Sequence, residues 1–366
     1  MTPITFSMPV TLIRKEGALK DCGKLAAGFG KRCLIITSAS AAEKSRAIFD
    51  ALDSMNAAGV EATVFPLISA NPPLAQCRAA VDAFKAAGAY SILAIGGGSV
   101  MDAAKAVAWM AVNYVSDSET LFAGELRRSR CPLILCGTTA GTGSEVSAVA
   151  VITDDNGKKR SIKHKECFAD YVLADPRYTD TMPRGVTVST ALDALAHAVE
   201  GYLNPACDDI STLFAEKAFP LLIEGLTYLC DHDLPDTDLR NKLFDASLYA
   251  GFVLNTCGTA FPHPMGYVLT EEHNIPHGQA CAVFMGELLD CAKAATPARA
   301  TRLFDLCGGE DTLRHILDTL VDVHVKMTSA QLDACKERFA ALPHFARVPG
   351  GFDGERADAL CRRLFG

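Results

Sequence analysis

Several features are missing from this sequence, and each absence closes off a class of function. No 18 apolar residues run together, and the opening MTPITFSMPVTL has no basic segment followed by an apolar core. Neither a membrane-spanning helix nor a secretory signal is expected. Basic residues are in the minority, 35 Lys and Arg against 43 Asp and Glu for a net charge of -8. With no basic stripe to neutralise a run of phosphates, nucleic acid is not an expected partner. CxxC pairs are also absent. The 14 cysteines are scattered through apolar segments, so they read as small buried hydrophobes of a reducing, cytoplasmic compartment rather than a disulfide framework.

What is present is an ordinary globular composition, 49% hydrophobic and 21% charged. At 366 residues the chain exceeds the ~250 to 300 at which one hydrophobic core stops growing, so two domains are expected. In the first half, short apolar runs at 32–37, 60–67, 90–95 and 132–136 alternate with Ala-rich segments of helical periodicity, and Gly59 and Gly88 stop the helices between them. That rhythm predicts a doubly wound parallel α/β sheet with helices on both faces. The segment YVLADPRYTDTMP reads as a polar connector, which puts an α/β domain at 1–182 and a second domain at 183–366. From STALDALAHAVEGYL onward Leu and Ala recur every three or four residues, interrupted by Pro-rich turns expected at Asn204-Pro205, Leu234-Pro235 and Phe261 to Pro264. The second domain is therefore expected to be all-helical.

Two loops in the first half are suited to a nucleotide. In YSILAIGGGSVMDAAK, Gly96, Gly97 and Gly98 follow a buried strand, and Ser99 is expected to cap a helix that carries Asp102 and Lys105. Residues without side chains let backbone N–H groups approach a pyrophosphate, and a helix N-terminus adds partial positive charge. The run is neither GxGxxG nor GxxxxGK[ST], so it is a variant of the doubly wound scheme. The loop CGTTAGTGSEVS follows the next strand with Thr138, Thr139, Thr142 and Ser144, hydroxyls able to bond phosphate, ribose or carboxamide.

The second half carries a candidate metal set. Asp193 and His197 are four apart in TALDALAHAVEG, so a helix there projects both from one face. His263 and His277, 14 apart, each sit beside proline or glycine that stiffens the backbone. One carboxylate and three imidazoles suit Fe(II) or Zn(II) better than the oxygen shells of calcium or magnesium. The remaining histidines fall in polar or ordinary helical contexts.

These stretches resemble the iron-containing (group III) alcohol dehydrogenases. The resemblance rests on GGGSVMDAAK, TTAGTGSEVSAVAVITD, ALDALAHAVEGY and the closing PHG, in order between residues 71 and 285. It implies a dinucleotide-binding α/β domain followed by a helical one, a dehydroquinate synthase-like architecture, with a metal in the cleft between them. It places the metal ligands on Asp193, His197, His263 and His277, and cofactor contacts on Asn71, Gly97, Gly98, Ser99, Asp102, Thr138, Thr139, Thr142 and Lys159. Many relatives have a further histidine, credited with proton handling, where this chain has Tyr267. The proton route then falls to Tyr267 or to His273 nearby.

The expected activity is reversible hydride transfer between a small primary alcohol or aldehyde and a nicotinamide, assisted by the cation. After the first strand come Ser38, Ala39 and Ser40, not an acidic residue, with Lys44 and Arg46 close by. Small hydroxyls leave room for a 2′-phosphate, which favours NADP over NAD. The alternatives are a glycerol dehydrogenase or maleylacetate reductase relative, or a sugar-phosphate cyclase of the dehydroquinate synthase type. A nucleotide sensor would have no reason to hold an Asp and three His. The resemblance implies a homodimer or larger homo-oligomer.

Overall fold

The computed structural model describes residue 4 and residues 6–40, 46–113, 115 and 118–366. Lys44 lies outside them. The chain divides into two compact units, one of Ser7–Met182 and one built on Pro183–Gly366. Phe6, which precedes the first, packs its ring on Phe214 of the second at 5.9 Å between centroids.

The first unit has strands β1 (Thr11–Arg14), β2 (Arg32–Ile36), β3 (Glu61–Phe65), β4 (Ser91–Gly96), β5 (Leu133–Gly137), β6 (Val149–Thr153), β7 (Lys159–Lys163) and β8 (Tyr171–Ala174). Its helices are α1 (Cys22–Ala27), α2 (Arg46–Ala57), α3 (Leu74–Ala86), α4 (Gly98–Met110) and α5 (Ser118–Phe122). Six strands form one sheet in the order β1-β8-β5-β4-β2-β3, every neighbouring pair parallel. β4 and β5 are buried along their whole length, which is why they read as unbroken apolar runs rather than alternating ones. Gly59 and Gly88, at φ +66° and +56°, turn the chain after α2 and α3 through a conformation other residues resist.

Four strands, β1, β6, β7 and β8, fall where the sequence predicted none. β8 occupies YVLA, the start of the expected polar connector, and pairs with β1 at the sheet edge. Each has only four residues, too few to establish a period. The end of the expected second polar loop is β6, which forms an antiparallel hairpin with β7. Its turn runs through Asp154 to Lys158, with Gly157 at φ +77°.

The second unit contains α6 (Arg184–Leu203), α7 (Asp209–Asp231), α8 (Thr237–Cys257), α9 (Pro262–His273), α10 (His277–Ala282), α11 (Met285–Ala295), α12 (Pro297–Leu306), α13 (Glu310–Leu320), α14 (Ser329–Phe339) and α15 (Gly354–Phe365). Among the described residues it has no strand. α6 is buried on nearly every side from Thr187 to Leu203, as an all-round apolar helix must be. α7, α8 and α10 pack around it. Gly201 lets α8 approach, since a Cβ there would sit 2.3 Å from Val253 Cγ1. The stretch Phe261 to Pro264 is not a turn: Pro262 opens α9, a position where its missing N–H has no helical partner to lose.

Candidate active site

In a parallel sheet, ligands bind beyond the carboxyl ends of the strands where the strand order reverses. Here β3 lies on one side of β2 and β4 on the other, so the reversal falls between β2 and β4. Ser38 and Ser40 follow β2, with their hydroxyls 3.3 Å apart, and Gly97 follows β4. Thr138 follows β5, its N–H donating to Gly96 O at 2.9 Å. Asn71, in the left-handed region at φ 50°, donates its N–H to Ser99 Oγ at 3.2 Å and accepts from Thr153 Oγ1 at 3.0 Å. Ser99 is therefore not the helix cap; the cap of α4 is Gly97, and the serine hydroxyl ties down Asn71.

The glycines serve packing as well as open backbone. A Cβ on Gly98 would meet Thr142 Cγ2 at 2.6 Å, and one on Gly97 would meet Thr139 Cγ2 at 3.1 Å, so the two loops lie face to face. Behind them is a buried charged brace. Asp102 accepts from Ser144 Oγ at 2.5 Å and Val151 N at 2.9 Å. Lys105, fully buried, donates to Ser144 O at 2.6 Å, Ser147 Oγ at 3.2 Å and Val149 O at 2.6 Å. Burial lowers the Lys105 ammonium from its ordinary value against the pull of Asp102. Lys159 adds its positive charge to the field at Asp102. The carboxylate of Asp102 and the hydroxyl of Ser144 are thus already engaged by the fold, whereas Thr139 Oγ1 is buried without a hydrogen-bond partner. Arg46 is largely exposed beside Asp50.

In the helical unit, three segments bring the candidate ligands together. Asp193 and His197 lie one turn apart on α6, His263 is in the first turn of α9, and His277 begins α10. Asp193 Oδ1 is the focus, with His263 Nε2 at 3.5 Å, His277 Nε2 at 3.8 Å and His197 Nε2 at 4.0 Å. It is buried and accepts no hydrogen bond of good geometry. His263 Nε2 and His197 Nε2 face each other at 2.8 Å. Burial alone would raise the Asp193 carboxyl, but His197, His277 and His263 hold it well below the usual carboxylate range.

Two further residues escaped the sequence reading. Glu200, fully buried, accepts from His263 Nδ1 at 2.5 Å and from Ala260 N at 2.7 Å. By accepting at Nδ1, Glu200 fixes the ring of His263 so that Nε2 faces Asp193 and His197 and is made more basic, and a carboxylate behind a ligating imidazole is the usual support of a metal site. The signal was present, because Glu200 follows Asp193 by seven residues on the same face of α6. Gly278 is the other. A Cβ on it would lie 1.7 Å from Ser189 O, so the glycine of PHG is what lets α10 rest against α6 at the turn bearing Asp193.

The donor set fits a divalent cation. Bonds of ~2.0 to 2.2 Å give ligand-to-ligand edges of about 2.8 to 3.6 Å for octahedral or tetrahedral shells, and the observed contacts run from 2.8 to 4.0 Å. The His263 and His197 nitrogens in contact beside an unpartnered buried carboxylate oxygen are satisfied either by a proton held between the rings or by a cation among all three. Tyr267, one turn after His263, places its ring 5.7 Å from that of His277. His273 ends α9, about 15 Å along the helix from His263, so the fold associates Tyr267 rather than His273 with the cluster.

Comparison with known proteins agrees with both units. A model of the family described as iron-containing alcohol dehydrogenase matches residues 9–176, and one described as its C-terminal domain matches residues 187–347. The probable alcohol dehydrogenase EutG of Salmonella typhimurium is 33% identical over 284 residues, covering 77% of this chain and 71% of that protein. The NAD-dependent methanol dehydrogenase of Bacillus methanolicus is 28% identical over 305 residues, 83% of this chain and 80% of its own. An iron-containing alcohol dehydrogenase of Thermotoga maritima superposes with a TM-score of 0.91 at 30% identity, over 99% of each chain. No described helix is long and apolar enough to cross a membrane. The chain belongs to the iron-containing alcohol dehydrogenase family of nicotinamide-linked oxidoreductases.

Proposed function

We propose that this dehydrogenase interconverts small primary alcohols and their aldehydes, using Fe(II), with Zn(II) as the alternative, held by Asp193, His197, His263 and His277. The convergence of three imidazoles on the unpartnered Asp193 Oδ1 carries the reading. A cation bound there supplies several kcal/mol of Lewis-acid stabilisation to the substrate oxygen as it gains negative charge. Glu200, accepting from His263 Nδ1, fixes the ring and strengthens Nε2 as a donor to the cation, and Tyr267, whose ring lies 5.7 Å from that of His277, is the group assigned to proton exchange.

For the cofactor, the backbone around Gly97 and Gly98 receives the pyrophosphate at the N-terminus of α4, with Asn71, Ser99, Thr138 and Thr142 around it. The free hydroxyl of Thr139 is suited to the carboxamide or a phosphate oxygen. Asp102 and Ser144 hold the second loop in place, and Lys159, whose positive charge is felt at Asp102, is the remaining cofactor contact. Ser38 and Ser40 stand where a ribose-binding carboxylate would repel a 2′-phosphate, which favours NADP. All fourteen cysteines are unpaired, which supports a cytoplasmic setting. A homo-oligomer completes the proposal.

Anaerobically purified protein should contain one cation per chain and oxidise NADPH in the presence of short aldehydes, with kcat/KM higher for NADPH than for NADH. Full turnover without a cation would refute the metal assignment, and a clear NADH preference would move the cofactor to NAD.

A further inference from the structure

One compact cluster of donor atoms in the helical unit contains a residue outside the one-Asp, three-His set. Asp193, His263, His277 and Cys281 each present one ligand atom, and all four atoms lie within 4.8 Å of one another. Cys281 lies one turn beyond His277 on α10, so both project from the same face. Its Sγ is 3.7 Å from His277 Nδ1 and 3.8 Å from Nε2. The thiol is fully buried. Gly266 on α9 lets α10 come in here, since a Cβ would be 2.7 Å from Ala280 O and 3.2 Å from Cys281 N. Independently of the thiol, Asp193 Oδ1 is buried, unpartnered and aimed at the same point.

We propose that the Cys281 sulfur is a direct donor to the cation held by Asp193, His263 and His277. The inference rests on the metal site proposed above. Shells with bonds of ~2.0 to 2.3 Å place opposite ligands about 4.4 Å apart, so four donor atoms inside 4.8 Å fit one coordination sphere. His197 joins from the other direction through its 2.8 Å contact with His263. The thiol proton leaves to solvent as the sulfur–metal bond forms, and no oxidant or reductant is involved. A soft sulfur in an otherwise nitrogen and oxygen shell raises the preference for Zn(II) over harder divalent ions.

Cobalt(II) makes the idea testable without turnover. Chelator-stripped protein titrated with Co(II) under argon should develop ligand-field bands in the visible at one ion per chain, with a sulfur-to-cobalt charge-transfer band in the near ultraviolet. In Cys281→Ser the charge-transfer band should vanish while the ligand-field bands persist. Zn(II) affinity should fall at least roughly tenfold, and Mn(II) affinity should fall less. Cys281→Ala, read in the same way, covers a serine that does not fit the buried site. Cys207→Ser should leave the charge-transfer band unchanged. A wild-type spectrum with ligand-field bands and no sulfur band, or a sulfur band that survives in both Cys281 variants, overturns the role of Cys281 and leaves the metal site standing. Failure of the wild type to bind Co(II) at all overturns both.

Discussion

Around the loops after β4 and β5 the proposed binding material is mostly backbone, whereas in the helical unit it is entirely side chain. Gly97, Gly98 and the first turn of α4 come from one short stretch, and the Thr138 to Ser144 loop from another, each directly after its strand. Asp193, His197, His263 and His277 span 85 residues and three helices. Backbone amides at the end of a strand are placed by local chain geometry. Imidazoles on separate helices meet only if the helices pack at the right depth, so this site tolerates less change in its surroundings. The contrast shows where fragility should lie: in contacts that set helix spacing and ring orientation, more than in the loops.

The most damaging change should be Asp193→Ala, which removes the common focus of three imidazoles. Metal content should fall to background and kcat by on the order of 10³, since several kcal/mol of stabilisation disappear and each ~1.4 kcal/mol is a factor of ten. Elemental analysis with steady-state rates checks it; a cation retained at one per chain would sink the assignment. Next is Gly278→Ala. The new Cβ would need the space of Ser189 O at 1.7 Å, so α10 must move off α6, at a cost of about 1 to 3 kcal/mol. A lower melting temperature together with weakened metal binding is expected, whereas Gly157→Ala, with nothing within 4 Å of its Cβ but a φ of +77°, should lower stability and leave metal binding alone.

A subtler change is Glu200→Gln. It keeps the volume but lets the amide offer a donor where His263 needs an acceptor, and metal affinity should fall by about 10- to 100-fold with the fold intact. Equal affinities in a competition titration would show that His263 needs no such support. The smallest effect concerns the α/β unit. Burial raises the Glu145 carboxyl to about 7, against the lowering influence of its own backbone hydrogen bond and of Lys105. A carboxyl whose folded pKa exceeds its unfolded one favours folding most at low pH. That contribution is complete below about 4.5 and is lost as pH rises through about 7. Glu145→Gln should therefore melt increasingly above the wild type from pH 5 to 8, by roughly a few degrees. Parallel melting curves would refute it.

Much of this was legible in one dimension. Buried parallel strands advertise themselves as unbroken apolar runs, and residues four apart on a helix declare a shared face, so the sheet, the glycine loop and the Asp193–His197 pair could be read directly. The four-residue β1 and β8 could not, because their pairing is a long-range event with no periodicity to reveal it. The roles of prolines and glycines were read only in part. Pro262 looked like a turn and begins a helix, and the glycine of PHG looked like a stiffener for His277 but is a point of helix contact.

Taken alone, the order of residues determined which chemistry is available: backbone donors after β4, hydroxyls after β5, and a carboxylate and an imidazole on one face of α6. It did so because those features depend only on neighbours within a turn or a strand. Tertiary packing decided which distant groups share a point in space. It brought Glu200 behind His263, Cys281 into the donor cluster and Tyr267 beside His277, and it left His273 at the far end of its helix. Such meetings are set by how closely helices approach, and that approach is governed by contacts such as Gly278 on Ser189 and Gly266 on Ala280, which carry no local signature.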